Sequence, residues 1–158
     1  MALLPAGLVM KNLGVGGQTT RMMAADAATE VDPLCDPARP ANILVCWEGT
    51  NDLFVGGAPP YDARRAYLRL AAYCEARQRA GFRVVICTVL PRGRSAAFYQ
   101  ARNALNAELR AHWRSFADAL ADVGAESDVT YYRDTVHLTA AGYAIVARVV
   151  AGAVERLL

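Results

Sequence analysis

Apolar positions along the chain fall into two patterns. Residues 41–47 and 82–90 are nearly continuous apolar runs, as expected of strands buried on both faces of a parallel sheet. Residues 116–123 fit a further strand better than a continued helix. Longer segments carry apolar residues at helical spacing. In 62–80, Ala63, Tyr67, Leu70 and Cys74 share one stripe, while Arg64, Arg65, Arg69 and Arg79 fall largely outside it and read as a solvated face. Residues 95–113 are helical. A last helix, capped by Thr139, carries Val146, Val150, Ala153 and Leu157 as its buried stripe. Near the start, residues 8–11 read as a short strand. A helix follows, capped by Thr19 or Thr20 and running through Met22 to about Ala28. Residues 31–40 and 56–60 read as loops, Gly81 ends a helix and Pro91 ends a strand.

Strands alternating with helices of this length predict an α/β domain, a three-layer α/β/α arrangement of flavodoxin type with helices on both faces of a parallel sheet. The 158 residues, 54% hydrophobic, are enough for one domain with a buried core. The formal net charge of +2 gives no electrostatic case for nucleic acid or an anionic membrane. No run is long enough for a membrane span, and the first ten residues make a poor signal peptide. Cys35, Cys46, Cys74 and Cys87 have no metal-site spacing, and buried free thiols are the expected state.

Three polar stretches interrupt these patterns at or after strand ends. Asp134 and His137 stand three residues apart just before the last helix. A carboxylate so placed can hold an imidazole in one tautomer and stabilise its protonated form, which suits a general base. Gly14, Gly16 and Gly17 make a tight turn opening a helix, where free N–H groups suit an anion or a developing oxyanion. Gly49-Thr50-Asn51-Asp52 follows the buried strand at 41–47, at the carboxyl end where open α/β sheets bind ligands. Asn51 can offer its amide to that cleft. Asp52 reads as structural, accepting from nearby backbone N–H groups.

Taken in order, these stretches resemble the SGNH hydrolases, the GDSL esterases and lipases. Asn12-x-Gly14-x-x-Gly17 resembles the family's glycine block, Gly49-Thr50-Asn51-Asp52 its G-x-N-D block, and Asp134-x-x-His137 its D-x-x-H block. The resemblance covers residues 8–158. It implies His137 as general base, Asp134 as its orienting partner, and the Gly17 N–H and Asn51 amide as oxyanion donors. It implies small-molecule esters as substrates and no metal or cofactor.

One part of the pattern is missing. The family's nucleophile is a serine in a G-D-S turn after the first strand, and no serine precedes Asn12. Ser95, Ser115 and Ser127 all lie in unsuitable settings. The absent first strand would be central in the sheet. Its loss would leave buried ladder groups unpaired at about 1–3 kcal/mol each, against about 5–15 kcal/mol of total stability. The expectation is therefore an N-terminally truncated domain, with the strand and the serine encoded upstream of Met1. Two functions remain open. One is an esterase or acylhydrolase acting through a serine ester. The other is a non-catalytic protein of the same fold that binds an acyl or glycan ligand or a protein partner. A metal hydrolase using Asp134, His137 and Asp52 lacks enough ligands, because His112, beside Trp113, reads as structural.

Overall fold

The computed structural model describes residues 7–54, 61–91, 95–125 and 131–158. Helix α1 (Thr20–Glu30) begins where Thr19 Oγ1 accepts from the Met22 N–H. Strand β1 (Ile43–Cys46) leads into the short helix α2 (Thr50–Phe54). Helix α3 (Ala63–Arg79) is capped by Asp62, and Gly81, at φ +104°, turns the chain out of it. Strand β2 (Arg83–Cys87), helix α4 (Ala96–His112, capped by Ser95), strand β3 (Ala119–Ala121) and helix α5 (Ala140–Glu155, capped by Thr139) complete the order.

Among the described residues the sheet has three parallel strands in the order β1-β2-β3. Successive side chains of β2 point to opposite faces, and the core divides accordingly. Val84 and Ile86 pack with Leu70, Cys74, Leu105 and Leu109 of α3 and α4. Val85 and Cys87 pack with Val146, Ala153 and Val154 of α5. This is the three-layer α/β/α architecture that the alternating pattern predicts. Cys46, Cys74 and Cys87 are buried free thiols, and Cys35 is a half-buried one.

Two expectations are corrected. Residues 8–11 form no strand: Leu8, Val9 and Met10 are exposed and their backbone is irregular. An apolar run becomes a strand only where a neighbour completes its ladder, and no described strand lies beside it. For the same reason β1 is not buried on both faces. Among the described residues it is an edge strand, and Val45 is 39% exposed. The loop expected at 56–60 lies outside the described residues, as does Ser127.

The carboxyl end of β2 is fixed by a buried polar network. Asn106 Oδ1 accepts from the Val89 N–H at 2.8 Å, and its amide donates to the Val89 carbonyl at 2.9 Å. Arg102 donates to the carbonyls of Val89 and Gly124. Thr88 Oγ1 accepts from the Gly124 N–H at 2.7 Å and donates to Asp122. These bonds satisfy backbone groups that the short β3 leaves without ladder partners, and they hold the rim where the site lies.

Candidate active site

The Asp134–His137 loop is closed at its neck. Tyr132 and Leu138 form an antiparallel bridge, the Arg133 N–H donates to the His137 carbonyl at 2.8 Å, and the Thr139 N–H donates to the Tyr131 carbonyl at 2.7 Å. Gly142 lets α5 start against this neck: a Cβ there would lie 2.7 Å from the Tyr131 carbonyl oxygen. Inside the loop, Asp134 Oδ1 accepts from the backbone N–H groups of Val136 and His137, both at 2.7 Å. Asp134 Oδ2 lies 2.9 Å from His137 Nδ1. The His137 N–H, then the His137 ring, then the Val136 N–H hold the Asp134 carboxyl well below the usual carboxylate range. An ionised partner at Nδ1 favours the tautomer with its proton on that nitrogen, which leaves Nε2 able to accept a proton.

The glycine turn and the Asn51 turn are joined directly. The Gln18 N–H donates to the Val15 carbonyl at 3.2 Å, closing a turn in which Gly17 takes φ +79°, a conformation that favours glycine. Asn51 Nδ2 donates to the Gln18 carbonyl at 2.9 Å. Asp52 is buried, and its Oδ2 accepts from both the N–H and the hydroxyl of Thr20. The structural part read for Asp52 is what the structure shows. It ties α2 to the first residue of α1.

Gly49 is required by contact as well as by conformation. At φ +117°, its Cβ would lie 2.9 Å from Val89 Cγ2 and 3.2 Å from Leu105 Cδ2. Glu48, just before it, was not singled out by sequence reasoning. Its Oε1 accepts from the N–H groups of Gly49 and Asn51 at 2.9 and 3.2 Å, and so caps α2. Burial pushes its carboxyl above the usual range, against the lowering effect of those two bonds. An acid immediately before a glycine at the end of a buried run is the signal that could have found it.

A cleft of about 110 Å³ lies between the Asn51 turn and the His137 loop. Glu48 and Thr50 line one side, Val136 and Leu138 the other, with the exposed Trp47 and Tyr143 beside them. The neighbours of Asn51 and of His137 therefore face one space. Asn51, Asp134, His137 and Gly17 do not themselves line this cleft; Asn51 and His137 adjoin residues that do, and Gly17 is linked to it through the Gln18–Asn51 bond.

The two serines among the described residues serve local backbone groups. Ser95 Oγ accepts from the Phe98 N–H at the start of α4. Ser115 Oγ donates to the His112 carbonyl at 2.8 Å. Among the described residues no cluster of three or more His, Cys, Asp or Glu side chains could hold a metal. His112 ends α4, with Glu108 3.7 Å away and its ring edge-on to Tyr67. No helix among the described residues is long and apolar enough to cross a membrane.

The sequence profile of the GDSL-like lipase/acylhydrolase family matches residues 1–145. The chain belongs to that family. Its members are hydrolases of ester bonds, and this chain is of that kind. Solved structures agree on the fold. A GDSL-like lipase from Bacteroides thetaiotaomicron superposes with a TM-score of 0.76 at 22% identity, over 90% of this chain and 73% of the other. A protein of Bacteroides fragilis assigned as an acylhydrolase gives 0.74 at 20%, over 90% and 72%. The acetyl xylan esterase AlAXEase gives 0.61 at 17%, over 92% and 78%. No curated protein matches the chain.

Proposed function

We propose that this GDSL-family chain carries the proton-accepting and oxyanion-binding half of a serine ester hydrolase. In this reading His137 takes the proton from an attacking serine hydroxyl and returns it to the leaving alcohol. Asp134 orients the ring and stabilises its charged form. The Gly17 N–H and the Asn51 amide donate to the oxygen that gains negative charge as the carbonyl is attacked. A serine ester forms and water then cleaves it, with no metal in the cycle. Neither Ser95 nor Ser115 is assigned as the attacking residue, because both hydroxyls serve local backbone groups. The substrates are small-molecule esters.

The observation that carries this reading is the shared cleft. Side chains adjoining Asn51 and His137 line the same space, and Asn51 is hydrogen-bonded to the turn that follows Gly17. Among the described residues β1 has an open edge, where a further strand can pair, and Leu8, Val9 and Met10 are exposed apolar side chains. The serines at 95 and 115 favour a second reading, a binding protein of this fold for an acyl or glycan ligand or a protein partner. Both of their hydroxyls serve backbone groups near α4.

Hydrolysis of p-nitrophenyl acetate by residues 1–158 and by the longest open reading frame that contains them separates the two. The catalytic reading expects turnover in the longer protein that is abolished by Ser→Ala in its G-D-S segment and by His137→Ala. A longer protein that contains the serine and yet shows no turnover dependent on His137 gives the site to binding.

A further inference from the structure

Among the described residues Glu48 is the only carboxylate lining the cleft beside the His137 loop. Its Oε1 accepts from the N–H groups of Gly49 and Asn51, and the Asn51 side chain adds a further bond. All of these donors are neutral. No ion pair among the described residues includes Glu48. The charged neighbour that acts on it is another carboxylate, Asp52, which has Arg69 at 3.6 Å. Burial pushes the Glu48 carboxyl above its usual range, as expected of a charge that is partly removed from water and has no cation beside it. Charges taken out of water are ordinarily paired, and Glu48 faces a space where a partner can enter.

The rest of the lining is mostly apolar or aromatic. Leu90 and Leu138, both buried, give the cleft apolar walls, with Pro91 and Val136 beside them. Trp47 and Tyr143 line it from the surface and are 38% and 46% exposed. The face of an aromatic ring attracts a cation, more strongly where water is partly excluded. The volume of about 110 Å³ corresponds to about four water molecules at about 30 Å³ each. That suits a compact group such as trimethylammonium and is small for a long acyl chain. A carboxylate without a cation, two aromatic rings and apolar walls together complement a small cation that carries methyl groups. A sugar ring would use the aromatic faces but leave the carboxylate charge uncompensated.

We propose that the cleft beside the His137 loop is a subsite for a small alkylammonium group, with the positive charge on Glu48 and the methyl groups against Trp47 and Tyr143. On the hydrolytic reading, the esters that this chain serves carry such a group, as amino-alcohol esters do. That extension rests on the function proposed above, and the binding itself does not. Glu48 also holds the turn that carries Asn51. A cation at Glu48 therefore sits next to the amide assigned to the developing oxyanion, where it offsets the repulsion that the carboxylate would exert on that oxygen.

The test is titration of ¹⁵N-labelled residues 1–158 with choline chloride at neutral pH, followed by amide chemical shifts, with sodium chloride at matched ionic strength as the blank. Saturable shifts are expected at Thr50, Val136 and Tyr143 and at the Trp47 indole N–H. The neutral isostere 3,3-dimethyl-1-butanol and methyl glucoside should each bind about tenfold more weakly. Glu48→Gln keeps an accepting oxygen and removes the charge. It should weaken choline binding by about tenfold and leave that of the neutral alcohol unchanged. Tyr143→Leu, at an exposed position, should also weaken choline binding and keeps the test decisive should Glu48→Gln alter the turn. Any of four results overturns the proposal: no saturable shift; equal affinity for the neutral alcohol or the glucoside; shifts centred on Asp134 instead of the cleft; or unchanged choline affinity in a folded Glu48→Gln or in Tyr143→Leu. Hydrolysis of p-nitrophenyl acetate, which carries no cation, is read separately, so the failure of one proposal leaves the other standing.

Discussion

Asp52 and Thr20, 32 residues apart in sequence, share two hydrogen bonds: the Thr20 N–H donates at 2.8 Å and its hydroxyl at 2.7 Å to one carboxylate oxygen. Both residues are buried. The N–H is one of the groups that the first turn of a helix cannot satisfy internally, so a side chain from α2 does what a local cap would do. Removing the acceptor leaves two buried donors without partners, each at about 1–3 kcal/mol. Asp52→Ala should therefore lower unfolding free energy by about 3 kcal/mol. Asp52→Asn retains an acceptor and should cost less. Urea denaturation of the two variants measures both, and equal losses would show that the ion pair with Arg69 outweighs the Thr20 bonds.

A second prediction concerns acid. Asp134 accepts from two backbone N–H groups and the His137 ring, which together hold its carboxyl below the usual range. A carboxyl lowered on folding contributes its full stability above the unfolded-state pKa of about 3.9 and loses it as pH falls through the lowered folded value. The loop should thus remain closed at pH values where ordinary carboxylates are already protonated. Carboxyl ¹³C shifts should show Asp134 titrating below that range, with the amide shifts of Val136 and His137 moving in step. A midpoint near 4 would contradict the hydrogen-bonded loop.

Glu48 runs the other way. Burial raises its pKa despite the N–H groups of Gly49 and Asn51 at its Oε1. A carboxyl raised on folding costs nothing below its unfolded pKa and costs stability as pH rises through the folded value. Glu48→Gln keeps the accepting oxygen and removes the charge. The substitution should raise the melting temperature at pH 7 and leave it nearly unchanged at pH 4. A loss at pH 7 would mean that the two N–H bonds need the ionised acceptor.

The sequence made some of this legible because the governing forces are local. Thr19, Asp62, Ser95 and Thr139 cap the helices they precede, and the apolar runs at 41–47 and 82–90 contain β1 and β2. Asp134 and His137 meet because three residues of loop suffice to bring them together. What was not legible depends on distant partners. Residues 8–11 have a strand's composition but no neighbouring strand. Arg77 lies on a helix rich in solvated arginines, and only the approach of Asp32 and α1 buries it. Arg69, read with the solvated face, is turned to the buried Asp52. Asp52 looked like a carboxylate serving nearby backbone, and the backbone it serves is Thr20 on another helix.

For the form of the protein that hydrolyses esters, the proposed roles give separable kinetics. His137→Ala removes the proton acceptor and should lower kcat by several orders of magnitude, in line with losses on removing a triad member. Asn51→Ala removes one oxyanion donor and should cost about 10²–10³-fold in kcat. It also breaks the bond to the Gln18 carbonyl, so its KM and its unfolding free energy should be read alongside. A change within twofold in kcat for His137→Ala would rule out His137 as the base, and the same result for Asn51→Ala would rule out Asn51 as an oxyanion donor.

Gly49 offers the sharpest structural test because two independent costs meet there. Its φ of +117° disfavours any side chain, at about 1–3 kcal/mol. A methyl group would also lie 2.9 Å from Val89 Cγ2, 3.2 Å from Leu105 Cδ2 and 3.3 Å from Leu70 Cδ1, all in the core and fixed by their own packing. Overpacking of this kind costs about 1–3 kcal/mol more. Gly49→Ala should therefore destabilise the protein by about 3 kcal/mol, a large fraction of a typical total of about 5–15 kcal/mol. Val89→Ala removes the nearest clashing atom and leaves the backbone angle as it is. The double variant Gly49→Ala/Val89→Ala should then be more stable than the sum of the two single losses, and the size of that departure measures the steric part alone. Strict additivity would mean that the backbone angle, and not contact with β2's extension, is what keeps a glycine at this turn.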